Sequence, residues 1–114
     1  MPMSETVKHH ADLLLIAFCE LRVPQEVRDQ VKMSHEFRAN TVTLFEDRPR
    51  WNKPSEWVHM PIAQFRFDTK SGRWTLYCAD RNSRWHLYEL VSPTSNLGVL
   101  IREVDKDPTG SFFG

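Results

Sequence analysis

The chain has 114 residues, 40% of them hydrophobic and 26% charged, with fifteen basic side chains balanced by fifteen acidic ones. That is the size of one domain, apolar enough for a packed core and too apolar for a disordered chain. Zero net charge argues against a histone-like protein held on nucleic acid by bulk charge, and seven prolines with four glycines exclude fibrous and low-complexity classes.

Cys19 and Cys78 are the two cysteines, too few for a disulfide framework. No Cys-x-x-Cys or paired Cys/His spacing points to structural zinc. The apolar run Leu13–Cys19 is bounded by Asp12 and Glu20. It is too short to span a bilayer, and its flanks are not those of a signal peptide. These features predict a soluble protein in a reducing cytoplasm, with no membrane contact and both thiols buried as small hydrophobes.

The first predicted element is a helix over Thr6–Arg22. Val7, Ala11, Leu14, Leu15, Phe18 and Leu21 recur at helical spacing, and Leu13, Ile16 and Ala17 widen the stripe. A helix apolar nearly all round is either covered within its own domain or paired with a second chain. Pro24 ends it and suits a short turn running to Gln30.

From Val31 the period changes to two. Met33, His35 and Phe37 alternate with polar residues to Arg38, Ala39-Asn40 turns the chain, and Thr41–Glu46 returns with Val42 and Leu44 inward. Pairing Phe37 with Val42 and His35 with Leu44 gives both strands one apolar face. Asp47–Glu56, with two prolines and three basic residues, reads as a stiff positive loop. A third strand is expected over Ile62–Phe67, a fourth over Arg73–Cys78 and a fifth over Arg84–Leu90. In the last hairpin, pairing Leu76 with Leu87, Cys78 with Trp85 and Tyr77 with His86 puts Trp74, Leu76, Trp85 and Leu87 on one inward face around a four-residue turn, Asp80–Ser83. A second helix follows Pro93, with Ser95 as N-cap and Leu97, Leu100, Ile101 and Val104 as its buried stripe. Gly98 weakens it by about 1 kcal/mol relative to Ala. Asp107–Gly110 ends this helix, and the paired Phe112 and Phe113 of the tail, which closes on Gly114, are expected to dock. The whole reads as a single α+β domain over residues 1–114: an N-terminal helix, a five-strand antiparallel meander, and a C-terminal helix packed on one sheet face.

The residues with usable chemistry gather on the last hairpin. In the expected register Arg66, Thr75, Tyr77, Arg84, His86 and Tyr88 share the outer face, with Asp80 and Arg81 at the turn. Cross-strand partners lie about 4.5–5.5 Å apart, so Tyr77 and His86 would touch. A histidine beside Arg and Tyr is acid–base equipment. The same residues also make an ordinary polar outer face, and Asp80 and Asn82 are ordinary turn residues. Between Arg38 and His86 nine basic side chains face five acidic ones. Arg48, Arg50, Trp51, Lys53 and Trp57 mix cations with aromatics there, a combination that can stack bases and pair phosphates. The five histidines have no metal-ligand spacing: His9 and Asp12 share a helix face, His35 suits a satisfied core position, and His59 lies in a connector. No metal site is expected, and no phosphate-cradling loop, nucleophile elbow or other cofactor pattern occurs.

Several strings are distinctive in combination. They are Val23-Pro24-x-x-Val27-Arg28-Asp29-Gln30-Val31, Val42-Thr43-Leu44-Phe45-Glu46-x-Arg48-Pro49-x-Trp51, Trp74-Thr75-Leu76-Tyr77-x-x-Asp80-Arg81-Asn82-x-Arg84-Trp85-His86-x-Tyr88 and Asp107-Pro108-Thr109-Gly110-x-Phe112-Phe113-Gly114. Together they resemble a family of short bacterial proteins catalogued only as a domain of unknown function. The resemblance covers nearly the whole chain and implies a bacterial single-domain protein. It brings no activity, substrate or site residue with it.

With no complete catalytic constellation, the leading reading is a small binding module rather than an enzyme. Arg66, Tyr77, Asp80, Arg81, Arg84, His86 and Tyr88 are its candidate contact residues, and single-stranded nucleic acid is its candidate ligand. One alternative is a small RNase-like hydrolase using His86 as the acid–base group. Another is an interaction subunit that forms a homodimer through the first helix.

Overall fold

A computed structural model describes residues 2–113. Helix α1 spans Glu5–Arg22, opened by the Ser4 hydroxyl, which accepts from the Val7 amide at 3.2 Å. After Pro24 a single 3-10 turn, Gln25–Val27, leads into the sheet. The strands are β1 Lys32–Arg38, β2 Thr41–Arg50, β3 Lys53–Asp68, β4 Arg73–Ala79 and β5 Trp85–Leu87, and helix α2 covers Leu97–Lys106. The five strands form one antiparallel meander in sequence order. Both helices pack on one face of it, giving the α+β architecture. Among the described residues no helix is long and apolar enough to cross a membrane.

The core lies between that face and the helices. Val42, Leu44, Phe65 and Leu76 from the sheet meet Leu15, Leu100 and Val104, all fully buried. The helix stripes assign themselves: α1 turns Ala11, Leu15 and Phe18 inward, and α2 turns Leu97, Leu100, Ile101 and Val104. Leu13, Ile16 and Leu21 are the outward side of α1 and stand in solvent; Leu21, expected in the stripe, is 84% exposed because it lies in the last turn of the helix, past the buried Phe18. His35 sits at the core edge, as its strand position implies, and its Nε2 meets Asp12 on α1 at 2.6 Å. Both thiols are only half-buried.

The first hairpin has the expected register, Phe37 opposite Val42 and His35 opposite Leu44. Its turn places Ala39 at φ +52°, a left-handed conformation that an L-alanine adopts at a cost of about 1–2 kcal/mol. The turn is tied down from outside, because the Asn40 side chain accepts from the Met3 amide at 2.6 Å and its carbonyl accepts from Phe67 N at 2.8 Å.

Three expectations are corrected. The segment Asp47–Glu56 is not a loop: β2 continues to Arg50 and β3 begins at Lys53, so a long two-stranded arm turns at Trp51-Asn52. β1 ends its pairing at Asp47, and β4 pairs with β3 only from Ala63 onward. Beyond those points both arm strands are edges, where a proline lacking its N–H is tolerated. Arg48–Glu46, Arg50–Glu56 and Lys53–Glu56 ion pairs run along the arm, Lys32 stands over Trp57, and Trp51 at the tip is 93% exposed.

The last hairpin is one residue out of the expected register. Tyr77 pairs with Leu87, Cys78 with His86 and Ala79 with Trp85, and β5 has only three residues. The turn is Arg81–Ser83, one residue shorter than expected, because Asp80 is itself paired, its amide donating to Arg84 O at 2.9 Å. Ser83 takes the left-handed conformation at φ +61°, the usual third position of a three-residue hairpin loop. A slip of one exchanges the faces of a strand. Trp85 and Leu87 therefore lie on the outer face. Tyr88, expected outside, is 4% exposed beside Leu76, donates to Glu103 at 2.6 Å and packs on Phe112. Burial, with the Glu103 carboxylate accepting, pushes its phenol pKa up.

The N-cap of α2 is Asn96, not Ser95; its side chain accepts from Gly98 N at 3.1 Å. A Cβ at Gly98 would stand 3.1 Å from that same oxygen, so the glycine leaves room for the cap. The tail docks as expected through Phe113, while Gly114 lies outside the described residues. Asp107 takes a left-handed conformation and its carboxylate accepts from the amides of Phe112 and Phe113 at 3.0 and 2.8 Å. Phe112 is buried, and the Arg22 guanidinium covers Phe113 at 4.0 Å while bonding Asp105 on α2 at 2.8 Å.

Replacing Ala39 by glycine is expected to raise stability by about 1 kcal/mol, since glycine adopts this turn without strain. Urea unfolding reads it as a higher midpoint at unchanged slope. Truncating Phe65 to alanine should cost about 3–5 kcal/mol in the same assay.

Candidate functional site

The face of the sheet away from the helices carries a broad groove. Alternation along the strands puts Glu36 and Arg38 of β1, Thr41, Thr43 and Phe45 of β2, and Gln64 and Arg66 of β3 on this side. With Trp85 they line a groove of about 1050 Å³. The arm extends the β2–β3 ribbon outward, and no arm residue lines the groove.

Arg66 is the best-positioned of the sequence-derived candidates. Its guanidinium lies 3.7 Å over the Tyr77 ring, and its Nε donates to Gln64 Oε1 at 2.7 Å. Gln64 in turn donates to Thr43 at 3.1 Å. The stack and the hydrogen bond hold the cation over an aromatic ring, an interaction worth about 0.5–1 kcal/mol at exposed sites. Trp85 joins this face because of the shortened turn.

The structure does not bring the remaining candidates into the groove. His86 sits opposite Cys78, whose partner face is the core side, and its Nε2 donates to Asp80 Oδ2 at 2.7 Å at the hairpin end. Asp80 also accepts from the amides of Asn82 and Arg84 at 2.8 and 3.0 Å. Arg81 and Arg84 flank this turn in solvent. Tyr88 is in the core. The expected Tyr77–His86 contact is absent, since the two side chains leave the sheet on opposite sides.

His59, read as a connector residue, is on β3 and on the groove face. Its ring stacks on Phe45 with centroids 3.6 Å apart. Its Nδ1 donates to Asp47 Oδ1, and Asp47 Oδ2 accepts from Ser34 at 2.9 Å. Its Nε2 faces Glu36, a groove-lining residue, at 3.8 Å. Nothing in the sequence reveals this group, because its members come from three strands and the segment holding His59 lacks an apolar alternation. Among the described residues no cluster of three or more His, Cys, Asp or Glu could hold a metal ion.

A smaller cavity of about 220 Å³ lies at the end of α1, lined by Cys19, Val23, Arg28 and Met33. Burial, with the charges of Asp47 and Glu20, pushes the Cys19 thiol up to about 11, so it is held as an unreactive thiol.

The hydrogen bond from His86 and then the Arg84 and Asn82 amides pull the Asp80 carboxyl down from 3.8 to about 2. A carboxyl depressed in the folded state stabilises the hairpin above its unfolded value, and that contribution disappears as pH falls toward the folded value. The Asn82 and Arg84 amide resonances should therefore titrate together at low pH with a midpoint near 2. Asp80→Asn should abolish that step, and a midpoint in the ordinary carboxylate range would show that the turn is not organised this way.

Residues 3–114 match the model of a family described as Domain of unknown function (DUF3024). No curated protein and no solved structure matches the chain.

Proposed function

The chain belongs to the DUF3024 family, and from the geometry of its sheet we propose that it is a small binding module that holds single-stranded nucleic acid in the groove on its outer face. The observation that carries this reading is the Arg66–Tyr77 stack on the face that also presents Trp85 and Phe45 to the groove. Bases stack on exposed aromatic rings whatever their identity, and a guanidinium held beside them can meet both a base plane and a phosphate. Thr41, Thr43 and Gln64 supply neutral hydrogen-bonding groups along the same strands. With no net charge on the chain, affinity has to come from stacking and a few local contacts, not from a broad positive field.

Fluorescence anisotropy with short single-stranded DNA and RNA tests the reading. Binding at low salt is expected, with quenching of tryptophan emission by bases near Trp85. Arg66→Ala and Tyr77→Ala should each weaken it at least about fivefold, the lower end of a base-stacking contribution. Absence of binding at low salt, or binding indifferent to both substitutions, would remove nucleic acid from this groove.

The solvent-facing Leu13, Ile16 and Leu21 of α1 support a subsidiary reading in which two copies of the chain pair through this helix. Sedimentation velocity should then show a dimer that Ile16→Ser converts to monomer; a monomer at all concentrations sinks the pairing.

A further inference from the structure

We propose that His59, at the rim of the outer groove beside the lining residues Phe45 and Glu36, is an acid–base group that cleaves RNA bound there, by attack of a 2′-hydroxyl on the neighbouring phosphate. The inference rests on the nucleic-acid reading of the groove and adds a reaction to it.

Phe45 stacks against one face of His59 at 3.6 Å with the planes 18° apart, so the ring plane is fixed. The Asp47 carboxylate can only accept, so Nδ1 carries the hydrogen, and Ser34 holds the second carboxylate oxygen at 2.9 Å. Rotation and tautomer are thus both set. In the neutral ring the lone pair is on Nε2, the atom that faces the groove residue Glu36 at 3.8 Å. A base oriented by a carboxylate that is itself hydrogen-bonded is the arrangement proton transfer needs. The Asp80–His86 pair differs at this step: its carboxylate is taken up with the turn amides and its imidazole lies on the other side of the sheet.

Proton transfer alone suffices for one reaction of a bound single strand. In RNA the 2′-oxygen is already next to phosphorus. His59 Nε2 takes the 2′-hydroxyl proton, the 2′-oxygen bonds to phosphorus, and the bond from phosphorus to the 5′-oxygen breaks. The imidazolium returns its proton to the departing 5′-oxygen. The products are a 2′,3′-cyclic phosphate and a 5′-hydroxyl, and no other reactant is consumed. Arg66 in the groove offsets charge on the phosphate. His59 is the catalytic residue, and Asp47 is a positioning residue.

The experiment uses the full chain with a labelled RNA, the DNA of the same sequence, and the RNA carrying a single 2′-deoxynucleotide at the cut position. Expected are DNA bound intact, RNA cut to cyclic-phosphate ends, and no cut at the 2′-deoxy position. His59→Gln should lower the rate at least about a hundredfold, and Asp47→Asn should lower kcat with KM unchanged. RNA that is bound but stays intact overturns this inference and leaves the binding module standing. Failure to bind either strand overturns both. Cleavage that persists in His59→Gln, or at the 2′-deoxy position in the unaltered protein, also overturns the assignment of His59, and the 2′-deoxy arm does so without depending on the folding of any variant.

Discussion

The Asp80 carboxylate organises the turn from which the rest of the outer surface follows. It gathers two turn amides and the His86 imidazole, and its own amide closes the hairpin on Arg84. That leaves three residues in the turn, not four. Side chains along a strand alternate with period two, so an odd change in turn length exchanges the two faces of everything after it. Trp85 enters the groove and Tyr88 enters the core by that single count. A buried tyrosine needs a partner for its hydroxyl, and Glu103 on α2 supplies it at 2.6 Å. The turn, the sheet face and the second helix are therefore consistent with one register only.

The two sides of the sheet are built differently. The covered side is closed by aliphatic stripes from both helices, and the docked tail fastens α1 to α2 through Arg22, Asp105 and Phe113. Burial on that side holds the strands at fixed spacing. The open side can then carry polar and aromatic groups with little tolerance in their placement. Arg66 over Tyr77 and His59 over Phe45 are both cross-strand stacks of a charged or titratable group on an aromatic ring. His59 is held by Asp47 on the neighbouring strand, and Arg66 by Gln64 of its own strand, which is itself bonded to Thr43 on β2.

The β2–β3 arm shows why part of the molecule escapes a reading of the residues. A strand is recognised by an apolar face alternating with a polar one, and that pattern exists only where one face is covered. Beyond Asp47 β1 no longer flanks β2, and β3 from Lys53 to Met60 is exposed except at Val58, so polar residues and prolines are allowed on both faces. His59 lies in this stretch. Its partners Asp47, Glu36 and Ser34 are distant along the chain and meet only because the meander places β1, β2 and β3 side by side.

The helix stripes, the Phe37–Val42 and His35–Leu44 register, the α+β order and the outward position of Arg66 and Tyr77 were determined by local pattern. Each depends on a periodicity that a short stretch contains in full. Tertiary structure alone decided the length of the Asp80 turn, the faces of Trp85, His86 and Tyr88, the arm, and the Asp47–His59–Glu36 group. The physical reason is the same throughout. Alternation specifies which residues share a face but not which face is covered, and hydrogen bonds from side chains to turn amides, together with contacts between strands remote in the chain, settle the second question.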